Sequence, residues 1–140
     1  MTREKWATEF LKELGAPVTM ANLHALVSWI QAEGGDASWN PLNTTLDADG
    51  ATEYNWVGVK NYPDFATGIT ATVETLNYGA DHNLYEYKPI RHNLMASRRA
   101  GLTLRAVEAS TWGTGGLALR CLPWVKKSWN SYSSQPIASK

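Results

Sequence analysis

Apolar positions recur at helical spacing in the first third of the chain and lose that period abruptly after it. In "REKWATEFLKELG", Trp6, Phe10, Leu11 and Leu14 fall on one face, and Gly15 supplies a natural stop. Thr19 follows as a candidate N-cap, and Leu23, Leu26, Val27 and Ile30 repeat the pattern in a second helix that ends at Glu33, before Gly34 and Gly35. From Asp36 to Pro63 the composition changes to Asn, Pro, Thr, Asp and Gly, broken by the short extended pieces "LNTTL" and "ATEYNWVGV". This pattern predicts an irregular loop with a small β element of two or three strands. Asp64 can cap a third helix whose inner face is Ile69, Thr72, Val73 and Leu76. Further helical stretches are expected at roughly 83–97, 102–110 and 115–122, with Pro89 starting or bending the first of them. The expected class is α+β, mostly α. Residues 1–125 form one domain, and 126–140, "KKSWNSYSSQPIASK", a loosely structured tail too poor in apolar residues to fold alone. Trp129 and Tyr132 are the side chains by which that tail could dock.

Composition narrows this only a little. The 140 residues suit one domain with a real core, and a formal net charge of zero implies no strong pull toward nucleic acid or a membrane surface. Seven Trp and six Tyr are unusual, and read either as core and scattered surface aromatics or as the lining of a groove for flat ligands such as sugar rings. Cys121 is alone, which leaves no intramolecular disulfide and no cysteine metal site. The three histidines, His24, His82 and His92, are too scattered for a ligand pattern, so no metal and no cofactor are expected. The N-terminus does not read as a signal peptide, and no apolar run is long enough to span a bilayer, so membrane insertion is not expected.

Glu33 is the position whose chemistry stands out. It follows Ile30 by three residues and Leu26 by seven, so it continues the apolar stripe, with Trp29 on the neighbouring edge. A carboxyl group held there loses solvation, which raises its pKa and keeps it protonated near neutrality, the state required of a general acid. The alternative is a solvated acid at a frayed helix end, although the helix dipole disfavours an acid at that terminus.

"AEGG", "NPLNTT" and "YNWVGVKNYPDFATGITATVETL" together resemble the lysozyme-like cell-wall glycosidase domains of actinobacterial bacteriophages and their hosts. The likeness covers roughly residues 7–78, with a weaker echo in "STWGTG", residues 110–115. It implies a lysozyme-like fold with a cleft between the helical part and the β element, and cleavage of the β-1,4 glycan backbone of peptidoglycan with Glu33 as general acid. It further implies that Asn40, Asn43, Thr44, Thr45, Asn61, Tyr62 and Trp112 bind the sugar. Asn40 and Asn43 could equally satisfy loop backbone, and Tyr62 could merely shape a turn. Tyr87 and Ile90 fit the family's Tyr-x-x-Ile approach, with Tyr85 as an alternative, inside a segment longer and more charged than usual. The partners implied are peptidoglycan glycan strands and phage tail proteins, with access to the wall from the host cytoplasm through a holin or from the virion. A non-catalytic virion structural or wall-docking protein of the same fold is the alternative. A second carboxylate is not marked: Asp36 is close to Glu33 in sequence, while Asp47, Asp49 and Glu53 lie in the loop.

Overall fold

The computed structural model describes residues 1–139. Among them are seven helices and one two-stranded antiparallel sheet, a mostly α arrangement with a small β element. The first two helices form as their caps dictate. Thr2 Oγ1 accepts the Lys5 N–H at 3.1 Å to open α1 (Arg3–Leu14), and Gly15 closes it in the left-handed region. Thr19 Oγ1 accepts the Asn22 N–H at 3.3 Å to open α2 (Met20–Glu33). Gly34, at φ 55°, ends α2 by donating its N–H to the Ile30 carbonyl at 3.0 Å.

Helix α2 is buried on more than a stripe: Asn22, Leu23, Ala25, Leu26, Val27, Ser28, Trp29 and Ile30 are all inaccessible. It is the central helix, packed against α1, α5 (Ala100–Glu108), α6 (Leu117–Lys127) and α7 (Trp129–Ser133). Its buried polar residue Asn22 ties it across the core, donating to the carbonyls of Pro17 at 2.8 Å and Leu94 at 2.9 Å. Around it lie fully buried Trp6, Phe10, Leu11, Leu76, Ile90, Leu94, Leu104 and Val107. Each such side chain contributes on the order of 1.5–3 kcal/mol by leaving water.

The β element has two strands rather than three. β1 (Thr52–Glu53) pairs with β2 (Lys60–Asn61), Thr52 opposite Asn61 and Glu53 opposite Lys60. "LNTTL" does not become a strand, but the Lys60 N–H donates to the Thr44 carbonyl at 3.3 Å and draws this loop alongside β2. Asp64 Oδ1 accepts the Thr67 N–H at 2.8 Å and starts α3 (Phe65–Asp81) as its sequence implies.

Two expectations are corrected. The helix expected over 83–97 is only α4 (Lys88–Met95), because Asn83, Tyr85 and Glu86 adopt positive φ values of 55°, 62° and 61° and break the helical path before Pro89 starts it again. The tail is not loose. Helix α6 runs across the expected domain edge, with Pro123 on its solvent side, and α7 follows it. Beyond that, Gln135 accepts the Arg3 N–H at 2.9 Å, Ile137 donates to the Met1 carbonyl at 3.0 Å, and Ile137 is buried. The N-terminal residues offer unpaired backbone and an apolar recess, so a segment unable to fold alone folds by docking. Trp129 adds an edge-on contact with His24, ring centroids 5.0 Å apart. No helix among the described residues is long and apolar enough to cross a membrane.

Candidate active site

Glu33 is the last residue of α2 and is partly buried. Trp29, one turn earlier and 1% exposed, lies beneath it. The loop after α2 folds back so that Asn43 reaches the helix end. Asn43 takes a left-handed φ of 58°, and its Nδ2 donates to Glu33 Oε1 at 3.3 Å and to the Glu33 carbonyl at 3.4 Å. The approach depends on Gly35, where a Cβ atom would lie 2.5 Å from Asn43 Oδ1. The paired glycines therefore do different work: Gly34 supplies the turn, and Gly35 leaves room for the amide.

Burial is the largest influence on the Glu33 carboxyl and raises its pKa from an ordinary 4.5 to about 7. Asn43 and the Trp29 indole N–H pull it the other way, and the negative charge of Glu108 pushes it further up. The Trp29 N–H closes no hydrogen bond of normal geometry, so its effect is that of a nearby dipole and the Asn43 amide is the one direct donor.

Three aromatic rings form a chain of contacts that starts beside the acid at Trp29. Trp112 meets Trp29 edge to face with centroids 4.9 Å apart, and Tyr87 lies 5.1 Å from Trp112. Tyr87 is seated against Gly79 of α3, where a Cβ would stand 2.3 Å from its ring. Burial, then Tyr85 and the Glu33 charge, push the Tyr87 hydroxyl up to about 12. Tyr87 thus links the acid to an open groove of about 410 Å³ lined by Thr45, Leu46, Thr75, Tyr78, Tyr85, Tyr87 and Thr111. A larger hollow of about 500 Å³ also touches Tyr87, against Asn83, Leu84 and the start of α4, and Glu33 lines neither this hollow nor the groove.

Of the residues expected to bind sugar, the structure brings Asn43 to Glu33 and leaves Thr45 exposed on the groove wall. The other five are engaged in hydrogen bonds within the fold. Asn40 is fully buried; it donates to the carbonyls of Thr44 and Lys60, both at 2.8 Å, and accepts the Thr44 N–H at 2.9 Å. Thr44 is 3% exposed and its hydroxyl pairs with that of Thr75. Asn61 accepts the Ser38 N–H at 2.9 Å and turns its amide to Thr52 and Glu53. Tyr62 is buried and donates its hydroxyl proton to the Leu46 carbonyl at 2.5 Å. Trp112 donates its indole N–H to the Leu42 carbonyl at 2.8 Å. Together these side chains build the loop that presents Asn43 and Thr45.

Glu108 is the residue that sequence reasoning missed. It ends α5 and binds the following loop: Oε1 accepts the Thr114 N–H at 2.6 Å, and Oε2 accepts the Thr114 hydroxyl at 2.5 Å and the Ala118 N–H at 3.0 Å. Burial pushes its pKa up, but the bonds from Thr114, Gly116 and Ala118 outweigh this and hold the carboxyl below its ordinary range. Thr114 belongs to the "STWGTG" segment, but nothing in the spacing says that an acid six residues earlier caps it. Tyr78 and Thr75, on α3, and Thr111 were also unmarked because only the fold brings them to Thr45. Comparison of the chain with protein-family models, with curated proteins and with solved structures finds no match in any of the three.

Proposed function

We propose that this chain is a peptidoglycan-degrading glycosidase with a lysozyme-like fold, cleaving the β-1,4 glycan backbone with Glu33 as general acid. The observation that carries the reading is a carboxyl group at a helix end, pushed to about 7 by burial, whose charge is felt by Tyr87, a ring that lines a groove of tyrosines and threonines. At neutral pH a large fraction of such a group holds its proton. It can deliver that proton to a glycosidic oxygen as the C–O bond breaks, a contribution of roughly 10²–10⁴ in rate.

The Asn43 amide is suited to the second half of the cycle. Once the proton has left, Nδ2 donates to the new carboxylate and holds its orientation. That carboxylate then accepts a proton either from water, giving a reducing end, or from one of the sugar's own hydroxyls, giving an anhydro product. Thr45 and the tyrosine hydroxyls offer hydrogen bonds to sugar hydroxyl and N-acetyl groups, and the rings offer faces for stacking. The sequence likeness supports reading it as a phage enzyme, acting on glycan strands after holin release or from a tail alongside tail proteins.

Digestion of purified actinobacterial peptidoglycan by the wild type and by Glu33→Gln, with products read by mass spectrometry, tests this. Soluble muropeptides from the wild type alone support it. Fragments lighter by one water identify a lytic transglycosylase, and reducing ends a hydrolase. No release by the wild type across several wall types and pH values overturns it and favours a non-catalytic virion or wall-docking role.

A further inference from the structure

The tip of the β hairpin carries a second feature that the acid site does not use. Trp56 is 94% exposed, with Val57 at 55% and Tyr54 at 43% beside it. None of the described residues covers this ring, and an uncovered Trp is a liability for a protein in water. Nor is the tip a slack loop. The Tyr54 N–H donates to the Val59 carbonyl at 2.8 Å, the Val59 N–H to Asn55 Oδ1 at 3.0 Å, and the Gly58 N–H to the Asn55 carbonyl at 3.4 Å. The indole is therefore held out on a braced turn.

Thr45 connects the tip with the groove. It lines the groove together with Tyr85 and Tyr87, and its side chain also lies next to Gly58, where a Cβ would come within 3.7 Å of it. An extended ligand leaving the groove over Thr45 meets the hairpin next. In the same groove Tyr85 is exposed, in a left-handed conformation that a bulky residue adopts only under constraint, and the Thr111 N–H fixes its carbonyl at 3.0 Å.

We propose that Trp56, with Tyr54 beside it, is an outer sugar-stacking platform, so that the protein binds long glycan strands in preference to short oligosaccharides. The proposal rests on the glycan reading of the groove. Charge favours a neutral ligand over an anionic membrane. Tyr54 to Val59 contains no basic residue, Asp47, Asp49 and Glu53 lie close in sequence or across the hairpin, and Lys60 is paired with Glu53. A sugar ring presents the apolar C–H face that an indole accepts and hydroxyls that Asn55 and Thr52 can meet.

The test uses Glu33→Gln protein, which keeps the carboxyl's shape and removes its proton chemistry, titrated calorimetrically with β-1,4-linked N-acetylglucosamine oligosaccharides of two, four and six sugars. Affinity is expected to rise with length, and adding Trp56→Ala is expected to lower the affinity for the hexasaccharide by about five- to tenfold while leaving that for the disaccharide unchanged. Because Trp56 touches so little of the fold, the thermal midpoint should not move, which separates lost stacking from lost structure. Equal hexasaccharide affinity with and without Trp56, or no binding at any length, overturns the proposal. So does Trp56-dependent sedimentation with phosphatidylglycerol vesicles in the absence of glycan binding, which would assign the tip to lipid. Peptidoglycan digestion by the wild type keeps the two ideas apart. Cleavage without a Trp56 length effect sinks the platform alone, and a Trp56 length effect without cleavage sinks the enzyme alone.

Discussion

Replacing Glu33 by Gln should make the protein more stable at pH 8 and leave its stability nearly unchanged at pH 4. Below the ordinary carboxyl value of 4.5, Glu33 is protonated in both the folded and the unfolded chain and contributes no pH dependence. Between 4.5 and about 7 the folded chain holds a proton that the unfolded chain has released, so stability falls as pH rises through this window. Above about 7 both states are charged, and the folded state bears the full cost of a carboxylate in a partly buried place. The interval from 4.5 to about 7, at about 1.4 kcal/mol for each pH unit, corresponds to about 3 kcal/mol. Partial exposure of the group reduces this to about 2 kcal/mol.

Gln removes that cost, fills the same volume and still accepts the Asn43 amide through its side-chain oxygen. The expected gain at pH 8 is therefore about 2 kcal/mol, or about 6 °C in thermal midpoint for a domain of this size. Urea unfolding of both proteins at pH 4 and pH 8, in matched salt, reads it directly. Glu13→Gln, on the exposed face of α1, controls for the loss of one surface charge. Equal differences at the two pH values, or a Glu33→Gln protein less stable than the wild type at pH 8, would refute the reasoning. A residue whose removal stabilises the fold is retained for something other than folding.

Other consequences follow from the same contacts. Asn43→Ala removes the one direct donor to the carboxyl, so the Glu33 titration, followed by carbon NMR of the labelled carboxyl, should move up by roughly half to one pH unit. Gly35→Ala should move it in the same direction by less, because the added methyl group displaces the Asn43 amide without removing it. Glu108→Gln takes away a negative charge that raises Glu33, so the Glu33 titration should move down while the loop bonds lost from Thr114 and Ala118 lower stability by about 1–2 kcal/mol in urea. Ile137→Ala should cost about 2 kcal/mol in the same assay, whereas a loosely attached tail would show no change.

What the sequence made legible were the features encoded locally. Thr19, Asp64 and Gly34 act on backbone groups within four residues of themselves, and each helix boundary they imply is where the structure has it. The break before α4 was not legible, because Asn83, Tyr85 and Glu86 take a conformation normally signalled by glycine. Nor was the docking of the tail, which depends on backbone groups of Met1 and Arg3 more than 130 residues away in the chain. Within the site, Asn40 and Asn43 look alike as two amides flanking Pro41 and Leu42. One points inward and satisfies three backbone groups, the other adopts a left-handed φ and reaches Glu33, and only the folded loop distinguishes them.

The same distinction decides what the second carboxylate can do. Neither Glu33 nor Glu108 forms an ion pair among the described residues, where the pairs are Lys5 and Lys12 with Glu9, Lys60 with Glu53, and Arg91 with Asp81. Without a cation, the number of hydrogen-bond donors sets the charge state. Glu33 has one amide and burial prevails; Glu108 has the Thr114 hydroxyl and backbone N–H groups around the start of α6, and the bonds prevail. A pair of acids pushed apart in this way resembles the division between proton donor and charged partner in glycosidases. Yet both oxygens of Glu108 are engaged by the loop, so acting as base or nucleophile requires it to release Thr114 or Ala118. On the glycosidase reading, Glu108 is therefore a positioning residue that acts through its field on Glu33, and Glu33 carries both proton transfers. Glu108→Gln should accordingly retain turnover with its alkaline limb moved to lower pH; complete loss of activity in a folded Glu108→Gln protein would instead require a direct role for this carboxylate.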